Sequence, residues 1–242
     1  MKKTIALLVL VGLCSTFTWA RETSTEANSK EVSRVQAAQE VLQEIMATPD
    51  KGIPKEILSG ADCVAVIPSV LKGGFIFGGR YGRGIATCRT AQHGANVWSA
   101  PVPIRIEGGS WGLQIGGEAI DLVMVGMNQK AMQDLLKDKF KIGGDASASA
   151  GPVGRQAEAS TDWKLKSEFL TYSRSRGAFA GISLDGSVVK QDRDDTIALY
   201  GKWIPASQIL SGEVGAPAST RQFLEEIHRY FGEAKADKTA AK

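Results

Sequence analysis

The stretch Cys63-Val64-Ala65-Val66-Ile67-Pro68, followed by Lys72-Gly73-Gly74-Phe75-Ile76-Phe77-Gly78-Gly79-Arg80-Tyr81-Gly82-Arg83-Gly84, decides how this chain folds. The first run is apolar and ends at a proline; in the second, six of thirteen residues are glycine. A further apolar run leads to Cys88, then a loop around His93-Gly94, then Val97-Trp98-Ser99-Ala100-Pro101. Between Asp62 and Glu107 there is no acidic residue, whereas Lys72, Arg80, Arg83, Arg89 and Arg105 are all basic. Two readings stay open. In one, Gly73, Gly74, Gly79, Gly82 and Gly84 let backbone N–H groups approach an anion that the basic side chains attract. In the other, the glycines serve hairpins and bulges and the arginines solvate a sheet face. Composition alone favours the second, because glycine in strands usually marks bends.

Downstream, Val102, Ile104 and Ile106 alternate with Pro103 and Arg105, and Gly108-Gly109 turns the chain. Trp111, Leu113 and Ile115 alternate again, and Ala119 to Val125 reads as a buried strand. Asp121 lies inside that run, where a buried carboxylate needs hydrogen-bond donors. Asn128 is placed to cap a helix carrying Met132, Leu135 and Leu136. Gly143 to Arg155 is built almost wholly of small residues, which permit close backbone approach. Trp163, Leu165 and Phe169 share one strand face; Gly177 to Leu184 predicts a further strand, turned by Asp185-Gly186 so that Val188-Val189 returns. Asp192 to Asp195 is an acidic turn and helix start. Ser219 with Gln222 predicts the cap of a last helix through Phe231, ended by Gly232, with 233–242 a disordered tail.

Upstream, Met1 to Ala20 has the charge pattern of a secretory signal peptide: Lys2-Lys3, an apolar core from Ile5 to Leu13, and Thr18-Trp19-Ala20 as a cleavage site. Cys14 admits lipid attachment, but Leu13 precedes it where a lipoprotein signal wants a small residue. The expectation is therefore an exported, periplasmic protein, membrane-associated at most. Residues 21–28 are expected to be flexible. Asn28 and Glu31 form a capping box for a helix bearing Val32, Val35, Ala38, Leu42 and Ile45. Pro54 opens a short turn at Lys55 to Ser59. Without Lys2 and Lys3, the 29 basic residues fall to 27 against 26 acidic ones, so a general nucleic-acid binder is disfavoured. Cys63 and Cys88 flank adjacent strands; an exported protein permits a disulfide between them, and two buried thiols is the competing reading.

Catalytic signals are thin. His93 and His228 have no evident serine or cysteine partner, and no GxSxG, HExxH or GxxxxGK[ST] occurs. No cofactor, metal ligand set or catalytic residue is predicted.

The glycine-rich runs together resemble the SYLF domain family. The matching segments are Val64 to Pro68, Lys72 to Phe75, Gly79 to Gly84, Trp98 to Pro101, Gly109 to Gly116, Asp121 to Val123, Ala150 to Arg155, Thr171 to Gly181 and Tyr200-Gly201. They cover roughly residues 32 to 231. The resemblance implies phospholipid binding without enzymatic activity, to phosphoinositides in eukaryotic relatives, and actin binding in fungal relatives that is not expected of an exported chain. The expected architecture is α+β: a single domain over 29–232, with an antiparallel, glycine-rich, barrel-like sheet and packed helices at both termini. The expected function is a non-catalytic phospholipid-binding protein of the cell envelope, contacting anionic headgroups through Lys72, Arg80, Arg83 and Arg89. The alternative is a structural or protein-interaction module.

Overall fold

The computed structural model describes residues 17–48, 52–74, 77–90, 97–111, 116–137, 139–153, 167–175, 178–179, 183–232 and 234. Helix α1 (Phe17–Met46) opens the chain and α2 (Lys55–Gly60) follows. The strands are β1 (Cys63–Gly74), β2 (Phe77–Cys88), β3 (Val102–Trp111), β4 (Gly116–Gly126), β5 (Lys139–Lys141), β6 (Ala148–Ala150), β7 (Phe169–Ser175), β8 (Ala178–Phe179) and β9 (Val188–Gln191). Helix α3 (Gln129–Leu136) precedes β5. Helices α4 (Arg193–Tyr200), α5 (Ala206–Leu210) and α6 (Arg221–Ile227) follow β9, and the last continues as a π turn, His228–Gly232.

The sheet runs β5-β9-β3-β2-β1-β4-β7-β6, antiparallel except for the β6–β7 pair, with β8 paired to β7. It is curled far towards closure. The two edge strands, β5 and β6, are joined by only residues 142–147, and Phe140 of β5 stacks on Phe169 of β7 at 5.5 Å between ring centroids. The concave face packs Cys63, Ala65, Ile67, Ile104, Ile106, Leu122 and Met124 against α3 and α5. The convex face packs Val64, Val66, Ile85, Val123, Leu170 and Tyr172 against α1, α2, α6 and Phe231. The division follows from the period of two along each strand.

The centre of the sheet is bent by a bulge. The β1–β2 register shifts between Val66 and Leu71, and Ser69 sits at φ 51°. Its N–H donates to Asp121 Oδ1 at 3.0 Å. Asp121 is thus hydrogen-bonded as expected, but it is half-buried and not fully enclosed. Opposite the bulge lie Gly82 and Gly84. A Cβ on Gly82 would stand 2.9 Å from Ile67 and Val70 methyls, and one on Gly84 only 2.1 Å from the Val66 carbonyl oxygen. These glycines let β1 close on β2. Cys63 and Cys88 face each other in the register and are joined by a disulfide across a sequence separation of 25. Closing a loop of that span removes denatured-chain freedom worth about 3.5 kcal/mol.

Gly108-Gly109 does not turn the chain: both residues lie within β3, paired with Arg80 and Gly79 of β2. Four further sequence expectations are corrected. First, α1 starts at Phe17, well before Asn28, and so includes residues 21–28; no glycine or proline interrupts Phe17 to Met46. Asn28 lies inside the helix, its Nδ2 donating to the Ala198 carbonyl at 3.0 Å. Second, Val188-Val189 does not return beside the strand before the Asp185-Gly186 turn: β8 pairs with β7, whereas β9 pairs with β3 and β5. Third, the last helix is preceded by a 3-10 turn at Ala218–Thr220, and Ser219 provides no side-chain cap. Fourth, Ala234, placed in the predicted tail, is buried in the same apolar cluster as Phe231. Trp163 and Leu165 and the remainder of the predicted tail lie outside the described residues. Asn128 does cap α3, its side chain accepting from Ala131 N at 2.9 Å.

Candidate functional site

Helix α1 crosses the convex face over β1, β2 and β4. Its apolar stripe, Val35, Ala38, Leu42 and Ile45, is buried. Nearer the N-terminus, where the bulge pulls β1 away, an open groove of about 500 Å³ remains. Lys30, Ser33 and Arg34 of α1 form one wall; Pro68, Leu71, Tyr81 and Arg83 form the other. Leu71 is 59% exposed and Tyr81 40%, among the most exposed large apolar side chains described. Arg83 Nε donates to the Tyr81 hydroxyl at 2.5 Å, which holds both side chains on the rim. The groove therefore pairs apolar surface with cations, a chemistry that suits a ligand with a charged head and an apolar body.

Below the rim lies a buried ionic network joining four elements. Arg34 donates to Glu31 and to Asp195 Oδ2, the latter at 2.5 Å. Arg83 bridges to Asp195 at 3.2 Å and to Asp192 at 3.5 Å, and Arg105 reaches Asp192 at 3.7 Å. Asp192 is also the N-cap of α4, accepting from Asp195 N at 3.2 Å. Burial pushes the Glu31 carboxyl up to about 8; Arg34 opposes this, and Asp195 and Asp192 reinforce it. Burial likewise raises Asp195.

Glu31 is expected to make α1 docking sensitive to pH. Its folded value lies above the ordinary carboxylate value of 4.5, so the stability it contributes is complete below about pH 4.5. That contribution is lost as pH rises towards about 8. Glu31→Gln, which stays neutral, is expected to remove this loss. Urea melts at pH 5 and pH 8 should show the wild type losing more stability across that interval than the variant. Equal losses would show that Glu31 is already ionised in the folded protein.

The structure does not bring the four predicted headgroup contacts together. Lys72 and Arg80 are cross-strand partners on the concave face, while Arg83 and Arg89 lie on the convex one. Arg80 is buried and donates to the Ser183 carbonyl. Arg89 is buried too: Nε donates to Ala61 O at 2.7 Å, Nη2 to Phe231 O at 2.8 Å, and its guanidinium lies 4.6 Å from the Trp98 ring centroid. Both are corrected from ligand contacts to structural residues, because each is buried and gives donors to carbonyls distant in sequence. Lys72 is half-exposed opposite Glu118. Of the four, Arg83 alone reaches the groove. Gly73 and Gly79 pair near the hairpin tip and are exposed, and Gly74 is half-buried beside them; Gly82 and Gly84 are buried against β1 and closed to a ligand. Sequence reasoning missed Leu71 and Tyr81 and did not place Lys30 and Arg34, the basic residues of the N-terminal helix, beside Arg83. The alternation of Tyr81 and Arg83 on one strand face was the available signal. Among the described residues, no cluster of His, Cys, Asp or Glu is placed to hold a metal ion, and no helix is long and apolar enough to cross a membrane.

A curled sheet, packed terminal helices and an open amphipathic groove define the class: an α+β domain. The chain belongs to the Ysc84 (SYLF) family; the model described as "Ysc84: Las17-binding protein actin regulator" matches residues 107–230. It is 38% identical over 170 residues to an SH3 domain-containing protein of Schizosaccharomyces pombe, covering 69% of this chain and 39% of the relative. It is 35% identical over 183 residues to SH3 domain-containing YSC84-like protein 1 of Rattus norvegicus, covering 75% of this chain and 53% of the relative. Protein YSC84 of Saccharomyces cerevisiae is 35% identical over 178 residues, 72% of this chain and 37% of that protein. The chain thus spans about half or less of the length of these relatives.

Proposed function

We propose that this chain is a non-catalytic, exported domain that binds anionic phospholipid headgroups at the cell envelope. The observation that carries this reading is the groove: exposed Leu71 and Tyr81 stand beside Lys30, Arg34 and Arg83. Apolar side chains can enter the acyl boundary while cations meet phosphates. Export is supported by the Met1–Ala20 pattern and by the Cys63–Cys88 disulfide, which persists in an oxidising compartment. The family description, Las17-binding protein actin regulator, favours a second reading, docking of another protein.

Flotation of the purified protein with phosphatidylcholine vesicles, with and without phosphatidylglycerol, separates the two. Binding to the anionic vesicles alone is expected. Leu71→Ala with Tyr81→Ala should weaken it about tenfold through lost apolar burial. Failure to float with anionic vesicles, together with co-sedimentation with actin filaments, would replace this reading by the second.

A further inference from the structure

The convex face is covered by α1 over β1, β2 and β4, and the N-terminal end of α4 meets β3 beside Pro103 and Arg105. The remaining sheet surface carries an ordered row. Arg83 pairs with Arg105, Arg105 with Lys190, and Lys190 with Lys139, so four cations stand side by side across β2, β3, β9 and β5. Cross-strand partners project from one face, about 4.8 Å apart. Their common face is confirmed by the alternating neighbours Ile104, Ile106, Val189 and Phe140, all buried on the other side. The adjacent row contains Tyr81, Glu107, Val188 and Lys141 in the same register.

The counter-charges are distributed unevenly. Asp192 and Asp195 sit at the groove end, against Arg83 and Arg105. Glu107 serves Lys190 and Arg105 in the middle. Lys139 and Lys141, both exposed on the edge strand, have no ion pair among the described residues. Positive charge therefore grows from the groove towards the sheet edge.

We infer that this cross-strand row, Arg83-Arg105-Lys190-Lys139 with Lys141 beside it, is a docking surface for an anionic phospholipid bilayer, continuous with the groove that Arg83 lines. The inference rests on the proposed function and adds the orientation of the molecule: the β5 side of the convex face lies along the membrane, and the groove opens onto it. Charge complementarity selects the occupant. A line of cations on a sheet face meets many headgroups at once, and Leu71 and Tyr81 at its far end supply the apolar contact that a bilayer rewards.

The test is vesicle co-sedimentation of the purified protein, with Lys139→Glu/Lys141→Glu compared with wild type on phosphatidylcholine vesicles containing phosphatidylglycerol. Reversing two exposed charges should weaken binding at least tenfold, since each cation near the surface contributes about one kcal/mol, or roughly fivefold. Lys139→Gln/Lys141→Gln, which disturbs an edge strand less, should weaken it by a smaller factor in the same direction. A wild type that binds, with both double variants binding equally well, overturns the row and leaves the proposed function standing. A wild type that ignores these vesicles overturns both.

Discussion

Gly84→Ala is expected to destabilise the domain by about 3 kcal/mol or more, the upper end of the cost of overpacking a core. The added methyl would lie 2.1 Å from the Val66 carbonyl oxygen and 2.7 Å from the Ile67 Cα. Both are backbone atoms of the neighbouring strand, so no side-chain rotation relieves the clash. Relief requires β1 to move from β2 where the bulge bends the sheet, and that bulge also sets the groove. Gly79→Ala is the matched control: its nearest neighbour is the Gly108 carbonyl at 3.9 Å, an ordinary contact. Denaturant melts of the two variants should therefore differ sharply. A Gly84→Ala protein as stable as Gly79→Ala would mean that the strands are not closed this tightly.

Arg89→Met is expected to cost about 3 kcal/mol and to loosen the C-terminal helix more than the sheet. Two buried carbonyls, those of Ala61 and Phe231, would lose their donors at roughly 1–3 kcal/mol each. The contact with Trp98 would go too. Relief of the buried charge offsets part of this. Burial pulls the guanidinium below its ordinary value, and Asp62 opposes it. Arg89→Lys should rescue poorly, because one ammonium cannot reproduce the planar fork that reaches two carbonyls. Hydrogen exchange resolved by residue is the measurement. Amides of 221–232 should exchange faster in the variant, while those of β1 and β4 change less. Uniform acceleration would mean that Arg89 acts on the whole core and not on this attachment.

Much of the fold was legible because its signals are local. Alternation in Val102 to Ile106 and the buried run through Val125 located β3 and β4, whereas Gly108-Gly109, which reads as a turn, lies within β3 because the strand goes on pairing with β2 through Trp111. Asn128 located a helix cap. The start of α1 was not legible: a capping box at Asn28 competes with an uninterrupted helical segment, and the helix prevailed because Asn28 finds a carbonyl on α4. The fate of the arginines was beyond local reading for a different reason. Arg80 and Arg89 are spaced like any surface residues; what buries them is Ser183 and Phe231, far along the chain. Likewise Asp192 to Asp195 reads as an acidic turn and helix start, which it is, but only the fold places it against Arg83 and Arg105. The row ending at Lys139 exists only once four strands are aligned.

The three-residue strands at the two ends of the sheet bear on how the protein behaves when crowded. Strands β1 and β2 are each twelve residues long, and β1 is rich in valine. Left with a free flank, such strands would recruit the same segment from another molecule into aggregates. Here each is paired along both sides, and the strands that end the sheet, β5 and β6, are three residues each, too brief to template a partner strand. Among the described residues the one-sided stretches of the longer strands are the hairpin ends of β3 and β4, 108–111 and 116–120. Lys139 and Lys141 add like-charge repulsion to β5. The near-closure that shapes the groove thus also keeps copies of the chain from zipping together.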